Sequence, residues 1–216
     1  MKKDFKTIDF LGIKLKGNNS AFRPTLITEA CARNINFKNK KILDLGCGIG
    51  PLAIYFSLNG ASKVSASDIY EDHIELAKLN DEAYQTKIEL INSDLFNKIN
   101  DKYDVICCDV SGVNKNVAEI TGWFPGKVPT ADETGANLII EVIKNSDNYL
   151  FEKGNLYICV TSFSEVKRIE ETMNKYYRNS WKKIYSEEVP FSKRLKQNLS
   201  SIDSSNFIRK ENDDYF

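Results

Sequence analysis

From residue 40 onward the hydrophobic pattern alternates between short apolar runs and longer amphipathic segments. Runs of strand length separated by helix-length stretches predict parallel strands joined by crossover helices, and therefore a sheet covered on both faces. KKILDLG (40–46) reads as the first strand. PLAIYFSLNG (51–60) reads as a helix with Pro51 in its first turn and Gly60 at its stop. SKVSASD (62–68), KIELINSD (87–94) and DKYDVICCD (101–109) read as further strands, with the helix YEDHIELAKLNDEAYQ (70–85) between the first two. The third is apolar on both faces, which places it centrally in the sheet.

Beyond it WFPGKVPTADETG (123–135), rich in Pro and Gly, predicts a loop of a length usually tied to function or disorder. The helix ANLIIEVIKNSDNYLF (136–151) follows, with Asp132 or Thr134 available as its cap. A Gly154 turn, the strand NLYICVTS (155–162) and the helix SEVKRIEETMNKYY (164–177) come next. WKKIYSEEVPF and NFIRKENDDYF at the end read as two last strands. The opening TIDFLGIKLKG (7–17) alternates about a turn, like a small hairpin laid before the main sheet. With no internal repeat, the expectation is a single domain over 1–216, in which residues 1–30 form an appendage.

Composition narrows the classes. Thirty basic and thirty acidic residues cancel, so no global field holds nucleic acid by phosphate neutralisation. Lys167, Arg168, Lys175, Arg178, Lys182, Lys183, Lys193, Arg194 and Lys196 form a basic stretch, but interleaved glutamates make it a solvated face. No run reaches membrane-spanning length and no leader pattern opens the chain, so a cytoplasmic protein is expected. The five cysteines lack a C-x-x-C pair and read as buried thiols, with no metal site expected. His73, the only histidine, falls on a helix away from the strand ends, in a structural role.

The chemistry gathers at strand ends. In LDLGCGIGPL the first strand runs into Gly46, Gly48 and Gly50 and then a helix, a turn that lets a ligand approach the backbone. Pro51 stands where a dinucleotide fingerprint has its third glycine, which disfavours a nicotinamide cofactor. Asp44, two residues before the first glycine, repels a pyrophosphate and suits an ammonium group. Asp68, Asp94 and Asp109 end the next strands, and in doubly wound sheets all four acids look into one crevice.

In this order and spacing LDLGCGIG, SASDIY, NSDLF and CCDVSG resemble the motifs of class I S-adenosylmethionine-dependent methyltransferases. The resemblance implies an α/β Rossmann-like fold, a mostly parallel seven-stranded sheet with helices on both faces and an N-terminal hairpin. It implies S-adenosyl-L-methionine as cofactor, with Asp44, Gly46, Cys47, Gly48 and Gly50 at the methionine portion, Asp68 and Ile69 at the ribose, and Asp94 and Leu95 at the adenine. FRPTLITE (22–29) resembles the F-x-P-x-x-x-T segment that closes over the cofactor, which adds Pro24 and Thr28.

In the branch that methylates planar nitrogens, including the adenine-N6 and glutamine-amide enzymes, the quartet after the fourth strand is Asn/Asp-Pro-Pro-Tyr/Phe. Here it is Asp109, Val110, Ser111 and Gly112. Asp109 stands as orienting group or base, Ser111 as a second contact, and Val110 and Gly112 as lining. Trp123 and Phe124 supply either the aromatic wall that Gly112 cannot or a hydrophobic clamp for their own loop. ETGANLII (133–140) resembles the stretch that follows the substrate loop in the glutamine-amide branch. The expected acceptor is an N or O nucleophile of a small molecule, peptide or protein side chain. The rivals are ribosomal or transfer RNA as acceptor, or a non-catalytic binding module, and no signal sets an oligomeric state.

Overall fold

The computed structural model describes residues 5–19, 21–122, 124, 132–178 and 180–198, with the backbone of 210–211 and 214–215. The chain divides into two compact units, Met1–Val110 with Glu141–Cys159, and Ser111–Ile140 with Val160–Phe216. The sequence pattern expects one domain because the backbone passes between the units three times, without a linker that composition would reveal.

The first unit opens with an antiparallel hairpin, β1 (Lys6–Phe10) and β2 (Ile13–Gly17). It is more than an appendage, because Phe10, Ile13 and Leu15 are buried in the main core. Then come α1 (Leu26–Asn34), β3 (Lys41–Leu45), α2 (Pro51–Leu58), β4 (Lys63–Asp68), α3 (Glu71–Tyr84), β5 (Glu89–Asn92) and β6 (Tyr103–Cys108). The second half of α5 (Asn137–Asn145), a 3-10 turn (Ser146–Tyr149) and β7 (Leu150–Ile158) complete the unit.

The strands form one parallel sheet in the order β5-β4-β3-β6-β7. Alternate residues of the central strands point to opposite faces, as strand geometry demands. Ile42, Val64, Ala66, Val105 and Cys107 pack with residues of α1, α2, α3 and the hairpin, while Leu43, Leu45, Ile106 and Cys108 pack with Phe96, Ile99 and Val142 of α5. Burial on both faces explains the continuous apolar runs.

Two features of the expected sheet differ. Gly154 lies inside β7, where the pairing with β6 shifts register, because a Cβ there would stand 2.9 Å from the Tyr103 carbonyl oxygen. Five strands, not seven, make the main sheet among the described residues. Residues 181–190 form no strand: Ile184, Tyr185 and Val189 stand exposed, and a strand needs a hydrogen-bonding partner as well as apolar residues. The short strands β8 (Lys210–Glu211) and β9 (Asp214–Tyr215) pair with each other, antiparallel, and among the described residues make a sheet of their own.

The second unit holds α4 (Lys115–Thr121), the first turn of α5, α6 (Val166–Tyr177) and α7 (Lys193–Gln197). Its core is a cluster of Val113, Val117, Ala118, Phe163, Phe191 and Leu195. Asp132 and Thr134 both serve at the start of α5: the Asp132 carboxylate accepts from the Asn137 amide at 3.0 Å, and the Thr134 hydroxyl from the Ala136 amide at 3.1 Å. The short helices α4 and α7 carry too few periods for their apolar stripes to show in the sequence. Among the described residues no helix is long and apolar enough to cross a membrane.

Candidate active site

The order of strand addition reverses between β3 and β6, and the carboxyl ends of these two parallel strands lie side by side there. Leu45 is in register with Ser67 on one side and Cys108 on the other, so the glycine turn and Asp109 leave the sheet side by side. Asp68 pairs with Asn92 one strand further out, which carries Asp94 to the same edge.

The glycine turn is shaped by backbone sign. Gly46 has φ 80°, and an added Cβ would stand 2.6 Å from a methyl of Val110, so Val110 covers the turn where a side chain would otherwise go. Gly48 has φ 54° with nothing within 4 Å of its Cβ direction, which leaves its backbone open to a ligand. The Gly48 amide is already aimed, donating to Asp68 Oδ2 at 2.8 Å. Cys47 is buried beneath the turn, and its thiol is pushed far up by burial and by the charges of Asp44 and Asp68. Gly50 leads into Pro51, and α2 begins.

Asp44 is 2% exposed, and its Oδ2 accepts from the Ala53 amide in the first turn of α2 at 3.1 Å. Burial, then the nearby charge of Asp109, push its carboxyl up to about 8, against the opposing pull of the Ala53 amide. An ammonium group placed beside it would be a strong partner, because it compensates a charge the protein leaves costly.

Asp68 is buried and orders its surroundings. Its Oδ1 accepts from the Tyr70 amide at 2.9 Å and lies 3.2 Å from His73 Nδ1. The sequence expectation for His73 is thereby corrected. The helix starts three residues after the strand ends, so its first turn folds His73 back onto Asp68, and the ring is 5% exposed. Ile69 is 49% exposed beside the carboxylate, an apolar surface at the expected ribose position. Asp94 is exposed, and Leu95 turns through φ 43° with its carbonyl accepting from the Ser93 hydroxyl at 3.0 Å.

The segment before α1 reaches the other end of the crevice. Thr28 and Thr25 form a capping box, with the Thr25 amide donating to Thr28 Oγ1 at 3.0 Å. That bond occupies one lone pair of the hydroxyl and leaves its proton for Asp109 Oδ2, 2.8 Å away. Thr28, inside the first turn of α1, both closes the capping box and partners the β6 acid, and the half-buried Pro24 lies just ahead of the Thr25 cap. Burial, then the charge of Cys31, raise Asp109 to about 6, while the Thr28 hydroxyl and the Cys159 thiol pull it down. A carboxylate held near that value accepts a proton at neutral pH without becoming inert.

Sequence reasoning missed Asn80. It is 1% exposed, donates to the carbonyls of Ile49 and Lys16 at 3.0 Å each, and accepts from the Lys16 amide at 2.7 Å. It ties the hairpin to the glycine turn, and a polar residue on the apolar stripe of α3 was the available signal.

The remaining quartet residues belong to the second unit. Ser111 Oγ is buried without a hydrogen-bond partner among the described residues. Gly112 is buried, and its carbonyl accepts from Thr161 Oγ1 at 2.9 Å and from the Ser164 hydroxyl. Phe124 packs against the apolar cluster of that unit. Trp123 lies outside the described residues.

Residues 24–109 match the family model "Methyltransferase small domain". A Methanocaldococcus jannaschii protein named as a protein N5-glutamine methyltransferase is 28% identical over 169 residues, covering 78% of this chain and 84% of the relative. The release factor glutamine methyltransferase of Streptococcus pneumoniae is 29% identical over 160 residues, covering 69% of this chain and 57% of that protein. Among solved structures, the T. thermophilus 16S rRNA N2 G1207 methyltransferase in complex with AdoMet and guanosine superposes with a TM-score of 0.58 at 18% identity. That match covers 80% of this chain and 45% of that one, and it speaks to the fold. Residues 24–109 thus carry a methyltransferase small domain on a Rossmann-like fold, and the relatives support an S-adenosylmethionine-dependent methyltransferase as what this chain is similar to.

Proposed function

We propose that this methyltransferase modifies a nitrogen nucleophile on a protein or peptide side chain, with Asp109 as the group that orients the acceptor and receives its proton. The observation that carries the reading is the Thr28 to Asp109 hydrogen bond, which holds the carboxylate in place at the end of β6. The relatives named for glutamine side chains favour a protein acceptor over a small molecule.

The cofactor supplies an electrophilic methyl group on a sulfonium. The protein's own work is alignment, because an in-line displacement rewards a nucleophile whose lone pair is held on axis. In this reading Gly46, Cys47, Gly48 and Gly50 present backbone to the methionine portion while Asp44 compensates its ammonium. Asp68, steadied by the Tyr70 amide and His73, takes the ribose hydroxyls, and Ile69, Asp94 and Leu95 border the base. Asp109 accepts an N–H hydrogen bond from the acceptor, which turns the nitrogen lone pair away from the carboxylate. With Val110 and Ser111 in place of two prolines and Gly112 in place of the aromatic, the acceptor is held without the stacked side chain of the planar-amine enzymes.

The test uses methyl-labelled cofactor with the wild-type protein and, in separate reactions, a soluble protein fraction and total RNA. Label in protease-sensitive material, reduced at least about a hundredfold by Asp109→Ala with cofactor binding retained, is the expected result. Label in nuclease-sensitive material would transfer the reading to RNA, and undiminished transfer by Asp109→Ala would remove the proposed role.

A further inference from the structure

Cys31 and Cys159 are 128 residues apart in the chain, yet their sulfurs lie 3.0 Å apart in the first unit. Cys31 sits on α1, one turn after Thr28, and Cys159 follows the last residue of β7. A disulfide bond is about 2.05 Å long, so roughly 1 Å of approach separates contact from bond. We propose that Cys31 and Cys159 are an oxidisable pair, a modification site at which a peroxide converts two thiols to a disulfide that tethers α1 to the end of β7.

The surroundings distribute the roles. The Cys107 and Cys159 thiols lie against Cys31 Sγ, with either sulfur of the Cys31–Cys159 contact able to donate, and they pull the Cys31 thiol down toward the nucleophilic form. The same contact, then burial, holds the Cys159 thiol well up. Cys159 is half-buried, and its sulfur also lies within hydrogen-bonding reach of the Asp109 carboxylate, so a proton acceptor stands beside it.

The chemistry balances with one peroxide. Cys31 thiolate attacks one peroxide oxygen and the O–O bond breaks. The departing hydroxide takes a proton to become water, leaving a sulfenic acid on Cys31. Cys159 sulfur, releasing its proton, attacks Cys31 sulfur; the S–O bond breaks and a second water leaves. Two thiols and one peroxide give one disulfide and two waters.

The consequence reaches the acid at β6. The bond removes the S–H that faces Asp109, and it fastens the helix that carries Thr28, whose hydroxyl holds the same carboxylate. Cys107, buried on β6 beside Cys31, is the competing partner that the geometry must exclude.

The inference concerns covalent chemistry and stands whether or not the proposed acceptor is right. The experiment treats the full reduced chain with hydrogen peroxide, then digests it without reductant and maps cross-linked peptides by mass spectrometry. Expected is a peptide pair joining Cys31 to Cys159, with the count of titratable thiols in denaturant falling by two from the chain's five. Thermal unfolding should shift upward on oxidation and return with dithiothreitol, and Cys159→Ser should lose both the cross-link and the shift. All five thiols persisting under peroxide, a bond from Cys31 to Cys107, or cross-links only between chains would each overturn the proposal. The wild-type peptide map decides the matter even if the variant folds poorly.

Discussion

Asp44→Asn is expected to make the protein more stable at neutral pH while weakening its cofactor site. Burial and the Asp109 charge raise the Asp44 carboxyl from 3.8 to about 8, so the folded state favours the neutral form. A raised carboxyl contributes stability that is fully present below its unfolded value and is lost as pH climbs through the folded one. At about 1.4 kcal/mol per unit, a carboxyl moving from 3.8 to about 8 gives up about 2–3 kcal/mol of stability between pH 5 and pH 7. Asparagine matches the neutral acid in shape and keeps an oxygen for the Ala53 amide, but has no proton to lose. The variant therefore gains on wild type by about 5–10 °C in melting temperature between pH 5 and pH 7, at about 2–4 °C per kcal/mol for a chain of this size. Titrating groups remote from Asp44 are common to both proteins and largely cancel in the difference, while Asp109, coupled to Asp44, adds to it. The assay is thermal unfolding of both proteins at the two pH values. A difference that stays constant with pH would mean Asp44 ionises normally, and would refute the burial argument.

Cofactor affinity should follow the same proton. If the ammonium pairs with ionised Asp44, S-adenosylhomocysteine binding measured by calorimetry weakens about ninefold from pH 7 to pH 6 in wild type and stays flat in Asp44→Asn. Thr28→Val removes the donor that pulls Asp109 down, so the acid limb of kcat/KM should move above its wild-type position near 6, with a capping loss of about 1 kcal/mol in thermal unfolding. Gly48→Ala should cost about 1–2 kcal/mol of stability for its φ alone. Its methyl enters the open space at the turn, so cofactor affinity measured by calorimetry drops more than about tenfold. Gly46→Ala adds the overlap with Val110 and should lose about 1–3 kcal/mol more by thermal unfolding.

What the sequence by itself determined is local. Asp44, Asp68, Asp94 and Asp109 are legible because each sits at or beside the end of an apolar run, and parallel strands deliver such ends to one edge whatever the packing details. Gly46 and Gly48 are legible because a left-handed backbone between strand and helix has few other occupants. Tertiary structure decided everything that depends on distance across the chain. His73 reads as an ordinary helix residue until the first turn of α3 folds it onto Asp68, and Asn80 becomes a latch only once the hairpin lies against the glycine turn. The expected strand at 181–190 is absent because apolar residues alone do not make a strand, which also requires hydrogen-bonding partners, while the described part of the last segment forms only the short pair β8 and β9. Cys31 and Cys159 carry no sequence signal of their contact, because α1 and β7 are brought together by burial of their apolar faces, a force that is nondirectional and independent of position along the chain.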